Sequence, residues 1–322
     1  MSKEAVWRRR LLFAPAMLAW VGMALAFVPG LPWPLSVAGH FWVQYGVLLA
    51  VTAVFAVPIP RWRRHLIWLL LGVVVNGVRL LPMVMPPVTA VSSAAAAPPV
   101  YRALFLNIHY DNTNSEAIAR LIQQADADIV AFVELMPEME RALGDALSPY
   151  AYGQQVGIPG YHARVIYSRL PVAAGGYGVV PDRERPSAVM RVLVDGRPLT
   201  IIAAHLNSPI RAENEAVRAR ERAGLAAFVQ AQSTPVLLLG DLNDTPWHAD
   251  FLAFLRESGL RNGRDGQGLH PTWPTTMPPL MLPIDHALVT PDITIRSFTT
   301  LPAPGSDHRA ILVEFSLNGE GV

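Results

Sequence analysis

The chain has 322 residues, 52% hydrophobic and only 16% charged, where an ordinary soluble domain carries roughly a quarter charged. It holds no cysteine, which excludes disulfides, thiolate metal sites and cysteine nucleophiles. The net charge of +1 divides unevenly: residues 1–100 carry eight basic side chains and one acid, whereas residues 101–322 carry 18 arginines, no lysine and 24 acids, an acidic balance ill suited to tight non-specific nucleic-acid binding.

Residues 11–28 are uncharged and follow Arg8-Arg9-Arg10; residues 31–60 are also uncharged, and residues 66–85 are interrupted only by Arg79. Each supplies close to the roughly 20 apolar residues that span a bilayer core, and such segments must be helical because lipid offers backbone amides no partner. The expectation is a membrane anchor over 1–85 with three transmembrane helices at about 11–28, 37–58 and 66–85. Basic clusters at 8–10 and 61–64 place the N-terminus and the second loop in the cytoplasm. Everything after the third helix is then extracytoplasmic, which means the periplasmic side of the inner membrane. Trp33, Trp42, Trp62 and Trp68 fall near segment ends, as interfacial aromatics do, and Arg79 is expected to snorkel to the headgroups. Ala24-Leu25-Ala26 also resembles a signal-peptide cleavage site, but the two later spans favour an uncleaved anchor. Residues 86–100 are a Pro/Ala-rich linker.

From residue 101 apolar runs and helical patterns mix. Strands are expected at 103–108, 129–135, 163–167, 188–194, 199–205, 235–240, 284–289, 293–298 and 310–317, with helices after Asn114, from Pro137, and over 211–232 and 247–258. One α/β (α+β) domain over 101–322, with two packed mixed sheets flanked by helices, is the economical reading. The sign alternation over 211–222 reads as a solvated helix face.

The apolar strands end in side chains they have no structural need for: Asn107, Glu134, His205 with Asn207, Asp241 with Asn243, Asp285, and the Asp307-His308 pair. Each alone is a common cap or turn former; together, in one domain, they point to a site. His109, Tyr110 and Asp111 read as a solvated turn near its mouth. His286, next to Asp285 on a strand, points to the other face. Of Arg183, Arg185 and Arg191, Arg185 is the candidate for binding substrate phosphate.

This ordered set, with Gly240-Asp241-Leu242-Asn243 and Ser306-Asp307-His308 as its most specific parts, resembles the endonuclease/exonuclease/phosphatase superfamily over residues 101–317. Three spans ahead of the domain are similar to a membrane-anchored bacterial branch labelled YafD-like. The resemblance implies a four-layer sandwich and metal-dependent hydrolysis of a phosphate ester by an activated water, with Mg²⁺, or Mn²⁺, as cofactor. It implies Asn107, Glu134 and Asp307 as metal ligands, and an Asp285–His308 pair. Asp241 and His308 are both candidates for the base, while Asn243 and Asn207 contact the substrate and His205 stabilises the transition state or protonates the leaving group. Hard oxygen donors without thiolates suit Mg²⁺. His205 resembles the deoxyribonuclease-like and phosphatase-like branches more than the abasic-site branch, which has tyrosine there.

The partners implied are the bilayer and a phosphate-ester substrate, whether nucleic acid, lipid headgroup or small phosphoester. A phosphodiesterase is favoured, nuclease included. The alternatives are a lipid- or inositol-phosphate monoesterase of the same fold and an inactive tethered binding module. The Asp-x-His and Gly-Asn-His of dinuclear metallophosphoesterases, the Gly-x-Ser-x-Gly of serine hydrolases and a Gly-rich nucleotide loop are absent.

Overall fold

The computed structural model describes residues 3–85, 98–156, 163–182 and 185–318. Most of the expected linker, with His162 and Arg183, lies outside the described residues.

The N-terminal part comprises α1 (Lys3–Leu25), α2 (Leu35–Ala38), α3 (Trp42–Ala56) and α4 (Arg63–Val84). Small residues let the helices approach: Ala16, Ala19, Ala53 and Ala56 are buried with Leu49 and Leu69. The outward faces are apolar and exposed, with Leu18, Val54, Phe55, Ile67, Trp68 and Val78 among them. Among the described residues only α4 is long and apolar enough to cross a membrane. The segment expected over 37–58 is broken at Gly39-His40-Phe41, leaving a helix of 15 residues. His40 turns out of the helical path there and its Nδ1 meets Thr245 Oγ1 at 3.1 Å. Arg79 does not snorkel freely either. Its guanidinium donates to the Trp247 carbonyl at 2.6 Å and lies 4.3 Å over the Phe27 ring, so a protein carbonyl and an aromatic face meet the charge.

The rest of the chain runs β1 (Tyr101–Asn107), α5 (Ser115–Ala125), β2 (Ile129–Leu135), α6 (Pro137–Ala142), α7 (Gly144–Leu147), β3 (Tyr152–Val156), β4 (Ala163–Ser168), β5 (Val172–Val180), β6 (Ser187–Val194), β7 (Arg197–His205), α8 (Ala212–Gln230), β8 (Val236–Asp241), α9 (Ala249–Ser258), β9 (Arg261–Asn262), β10 (Asp285–Val289), β11 (Ile293–Leu301) and β12 (Ala310–Leu317). Two six-stranded sheets form, in the orders β11-β12-β1-β2-β4-β3 and β5-β6-β7-β8-β10-β9. Alternate strand residues such as Phe105, Ala131, Ile201, Leu239 and Val313 fill the core between them. The outer faces are covered by helices: α5 buries Ile118, Leu121, Ile122 and Ala125, one stripe at helical spacing, against the first sheet, and α8 and α9 cover the second. The result is the expected sandwich of two mixed sheets flanked by helices.

Each sheet contains one parallel pair, β1 with β2 and β7 with β8, and each pair is joined across a helix. Ligands bind outside the carboxyl ends of such strands. Here the carboxyl ends of both pairs lie together.

Candidate active site

Register places the second sheet's share of the site. His205 pairs with Asp241 across β7 and β8, and Asp241 pairs with Asp285 across β8 and β10. Three candidate side chains therefore stand side by side on adjacent strands. The first sheet supplies Asn107 at the end of β1 and Glu134 from a bulge in β2 between Val133 and Leu135. Glu134 has φ +59°. A left-handed backbone at a non-glycine residue costs about 1–2 kcal/mol, a local strain of the kind functional sites retain; the bulge turns the carboxylate toward the second sheet.

The two sheets meet through Asn107. Its amide Nδ2 lies 3.2 Å from Glu134 Oε1, 3.1 Å from Asp241 Oδ2 and 3.4 Å from His308 Nε2. Asp241 Oδ2 is the hub, with His205 Nε2 at 3.6 Å and His308 Nε2 at 3.8 Å; His205 Nε2 is also 3.8 Å from Glu134 Oε1. His308 Nδ1 pairs with Asp285 Oδ2 at 2.8 Å, which directs Nε2 at the cluster. Ser306 pins the last loop by donating Oγ to the Asn107 carbonyl while accepting the His308 amide. Asn243 donates its backbone N–H to Asp241 Oδ1 and its side-chain amide to the Leu206 carbonyl.

Burial raises the Asp241 carboxyl above its usual range, and the Asp285 charge adds to this. For His308, burial alone would depress the imidazole, but the Asp285 charge and hydrogen bond outweigh it and hold it up to about 9.

Asp307 is fixed by the Trp273 indole, which donates to Oδ2 at 2.8 Å, while Oδ1 is buried with no hydrogen-bond partner among the described residues. That oxygen meets only imidazole nitrogens, His308 Nε2 at 3.9 Å and His109 Nδ1 at 3.5 Å, and keeps lone pairs that a hard cation would take up. His109, expected in a solvated turn, instead has φ +64° and places Nδ1 between the two carboxylates, 3.8 Å from Glu134 Oε2 and 3.5 Å from Asp307 Oδ1. Ligand atoms of Asp241, Asp285 and His308 also lie within 4.8 Å of one another, as do those of His40, Asp244 and His248.

Two expected substrate contacts are not brought to this cluster. Asn207 gives its backbone and side-chain N–H groups to Glu221 on α8, at 2.8 and 2.7 Å. Arg185 lines a separate small pocket with Asp182 and Glu221. Sequence reasoning also missed Arg164, fully buried in β4, whose guanidinium reaches across to the His205 carbonyl at 2.9 Å and fixes the end of β7. An arginine in an apolar strand was the available signal. Arg218 and Arg222, expected on a solvated face, are buried; Arg222 is 3.3 Å from Asp244 and 3.4 Å from Asp250. His286 faces away, against Arg264 and the Asp244 carbonyl.

Residues 104–308 match the model of the Endonuclease/Exonuclease/phosphatase family. The chain belongs to this family. Its members are phosphoester hydrolases, nucleases and phosphatases among them. Endonuclease/exonuclease/phosphatase folds among solved structures are similar to this one. An endonuclease/exonuclease/phosphatase from Beutenbergia cavernae DSM 12333 shares 19% identity at a TM-score of 0.55, over 68% of this chain and 72% of that one. D. rerio TDP2, complexed with single-strand DNA product, shares 16% identity at 0.56, over 67% and 99%. A mannosyl-6-phosphatase from Bacteroides thetaiotaomicron shares 18% identity at 0.54, over 67% and 100%. No curated protein matches the chain. At these identities the likeness speaks for the fold.

Proposed function

We propose that the chain is a membrane-anchored, divalent-metal-assisted phosphodiester hydrolase, with its catalytic domain on the extracytoplasmic (periplasmic) face of the inner membrane. The observation that carries the reading is the convergence on Asp241 Oδ2 of Asn107 Nδ2, His205 Nε2 and His308 Nε2, all within 3.8 Å. No strand packing requires that arrangement.

Glu134, Asp307 and Asn107 would hold Mg²⁺ or Mn²⁺. The Asn107 side-chain oxygen accepts the His109 N–H at 3.1 Å while Asn107 Nδ2 faces Glu134, so the amide would turn to ligate. Asp307 Oδ1 has no hydrogen-bond partner among the described residues. When bound, the ion neutralises phosphoryl charge and stabilises the leaving oxygen. Asp241 takes the proton of the attacking water as the water oxygen bonds to phosphorus and the bond from phosphorus to the leaving alcohol breaks. His205 returns a proton to that alcohol. His308, kept protonated by Asp285, donates Nε2–H to a non-bridging phosphoryl oxygen, and Asn243 orients the phosphate. The carboxylates of Glu134, Asp241, Asp285 and Asp307 together outweigh a bound dication and the protonated His308, which favours a singly charged diester over a dianionic monoester.

Helix packing supports the membrane topology. Phe13, after Arg8–Arg10, packs on Trp62 and His65, so both basic clusters share one end of the helices. At the other end the uncharged loop meets the catalytic domain, where Gly30 N–H donates to Asp250 Oδ1 at 2.9 Å and Trp247 Nε1 donates to the His40 carbonyl at 2.9 Å.

The test is turnover of bis-p-nitrophenyl phosphate and p-nitrophenyl phosphate by the full chain with Mg²⁺, Mn²⁺ or EDTA. Metal-dependent diester hydrolysis, lost in Glu134→Ala and His308→Ala, is expected. Turnover that survives EDTA, or a monoester preferred over the diester, would overturn the reading.

A further inference from the structure

We infer that the site acts on a lipid: the substrate is a phosphodiester carrying an acyl chain, and the chain lodges in a cavity built jointly by the anchor and the catalytic domain. The inference rests on the hydrolase reading above and specifies its substrate class.

The cavity has a volume of about 240 Å³. It exceeds the roughly 150 Å³ that suffices for benzene in an enclosed apolar cavity. One wall comes from the loop between α1 and α3, with Trp33, Val37 and Phe41; the other comes from the catalytic domain, with Ile210, Trp273 and Ile284. Neither part encloses the space alone. No lysine, arginine or carboxylate lines it.

Two wall residues connect it to the chemistry. Trp273 is the indole whose N–H holds Asp307 Oδ2 at 2.8 Å, and its ring lies 6.3 Å from that of His308. Asn243 lines the cavity and donates its backbone N–H to Asp241 at 2.9 Å. A group in the cavity therefore adjoins the position of the phosphate. On the outer side, Trp33 is 43% and Ile210 is 65% exposed, an apolar rim at the end of the helices that carries the catalytic domain. Exposed aromatics at that level suit the headgroup region.

A polynucleotide strand needs basic groups along its backbone path, and this lining has no lysine or arginine; its one imidazole, His40, is buried and bonded to Thr245. A small hydrophilic ester would leave the apolar walls unused. A chain entering from the leaflet in which the anchor sits matches both the walls and the rim.

The experiment uses the full chain in an amphipathic polymer with Mg²⁺. It compares methyl p-nitrophenyl phosphate, phosphatidylglycerols of increasing short acyl length kept below micelle formation, and a single-stranded oligonucleotide. Each added methylene is expected to raise kcat/KM about fourfold until the cavity is full. Val37→Trp fills the cavity and should abolish that length dependence while sparing the compact diester. Ile210→Asp, at an exposed position that folding tolerates, should lower lipid turnover about tenfold and leave the compact diester unchanged.

A flat length profile beside normal compact-diester turnover overturns the lipid subsite and leaves the hydrolase standing. So does an oligonucleotide preferred over the longest lipid. If no substrate turns over, the hydrolase reading falls. The cavity is then decided by quenching of tryptophan fluorescence with a brominated-chain phosphatidylglycerol: quenching that weakens in Ile210→Asp supports it, and none overturns it.

Discussion

Replacing Asp285 with asparagine tests the ionic logic of the site. The carboxylate is fully buried, 2.8 Å from His308 Nδ1, and foremost among the groups that hold the imidazole up to about 9. Asparagine keeps the shape and an acceptor oxygen but removes the charge, so the His308 pKa should fall at least toward the ordinary histidine value of about 6.5. The sign follows directly: the raised value keeps His308 protonated up to about pH 9, and losing Asp285 deprotonates it from lower pH. Near pH 8 the protonated fraction drops from about 90% to about 3%, a loss of about 30-fold, whereas near pH 6 it changes by less than about twofold. A further, pH-independent factor of about ten accompanies the exchange of a charge-assisted hydrogen bond for a neutral one. Imidazole NMR titration of the metal-free protein reads the pKa, and kcat profiles with Mg²⁺ read the consequence. An unchanged titration, or a rate loss equal at both pH values, would refute the assignment of His308 as the charged donor held by Asp285.

Glu134→Gln should weaken Mg²⁺ binding by calorimetry and lower kcat/KM at least about 100-fold at fixed Mg²⁺, because a neutral amide replaces a charged ligand. As the native chain has no cysteine, single cysteines report topology without background. An impermeant maleimide should label Glu116→Cys and spare Arg64→Cys in cells with an intact inner membrane, and the reverse pattern would invert the proposed orientation. Trp247→Ala empties a fully buried site and removes the hydrogen bond to the His40 carbonyl. It should destabilise the protein by about 3–5 kcal/mol, read as a lowered thermal midpoint, and a change under about 1 kcal/mol would mean the anchor and catalytic domain are not packed as described.

The strands that end in site residues were legible because each is a short apolar run that stops on a carboxylate, amide or imidazole, a contrast that survives in one dimension. The edge strands β3, β5 and β9 were not: β3 is polar, β5 carries adjacent glycines and β9 has two residues, and they form only because a neighbouring strand offers a ladder. Arg218 and Arg222 were misread for a related reason. Their alternation with acids matches a solvated helix, and what meets them is the distant segment after β8, where Arg218 donates to the Asn243 carbonyl and Arg222 pairs with Asp244 and with Asp250 at the start of α9. His109 was read as part of a solvated turn at the mouth rather than as a site residue because its position depends on a left-handed turn. The second membrane segment was read as continuous because hydropathy does not register a histidine drawn aside by Thr245.

The bonds from the N-terminal helices and the loop between them to the α/β domain have a mechanical meaning. Gly30 to Asp250, His40 to Thr245, Arg79 to Trp247 and Gln44 to Met281 are spread across the joint, so the domain is bolted to its helices rather than leashed to them. A leashed enzyme sweeps a hemisphere and meets whatever diffuses through it. In the membrane setting proposed above, a bolted one works at a fixed height and tilt over the leaflet, and its rate follows the surface density of substrate passing beneath rather than the concentration in the surrounding fluid.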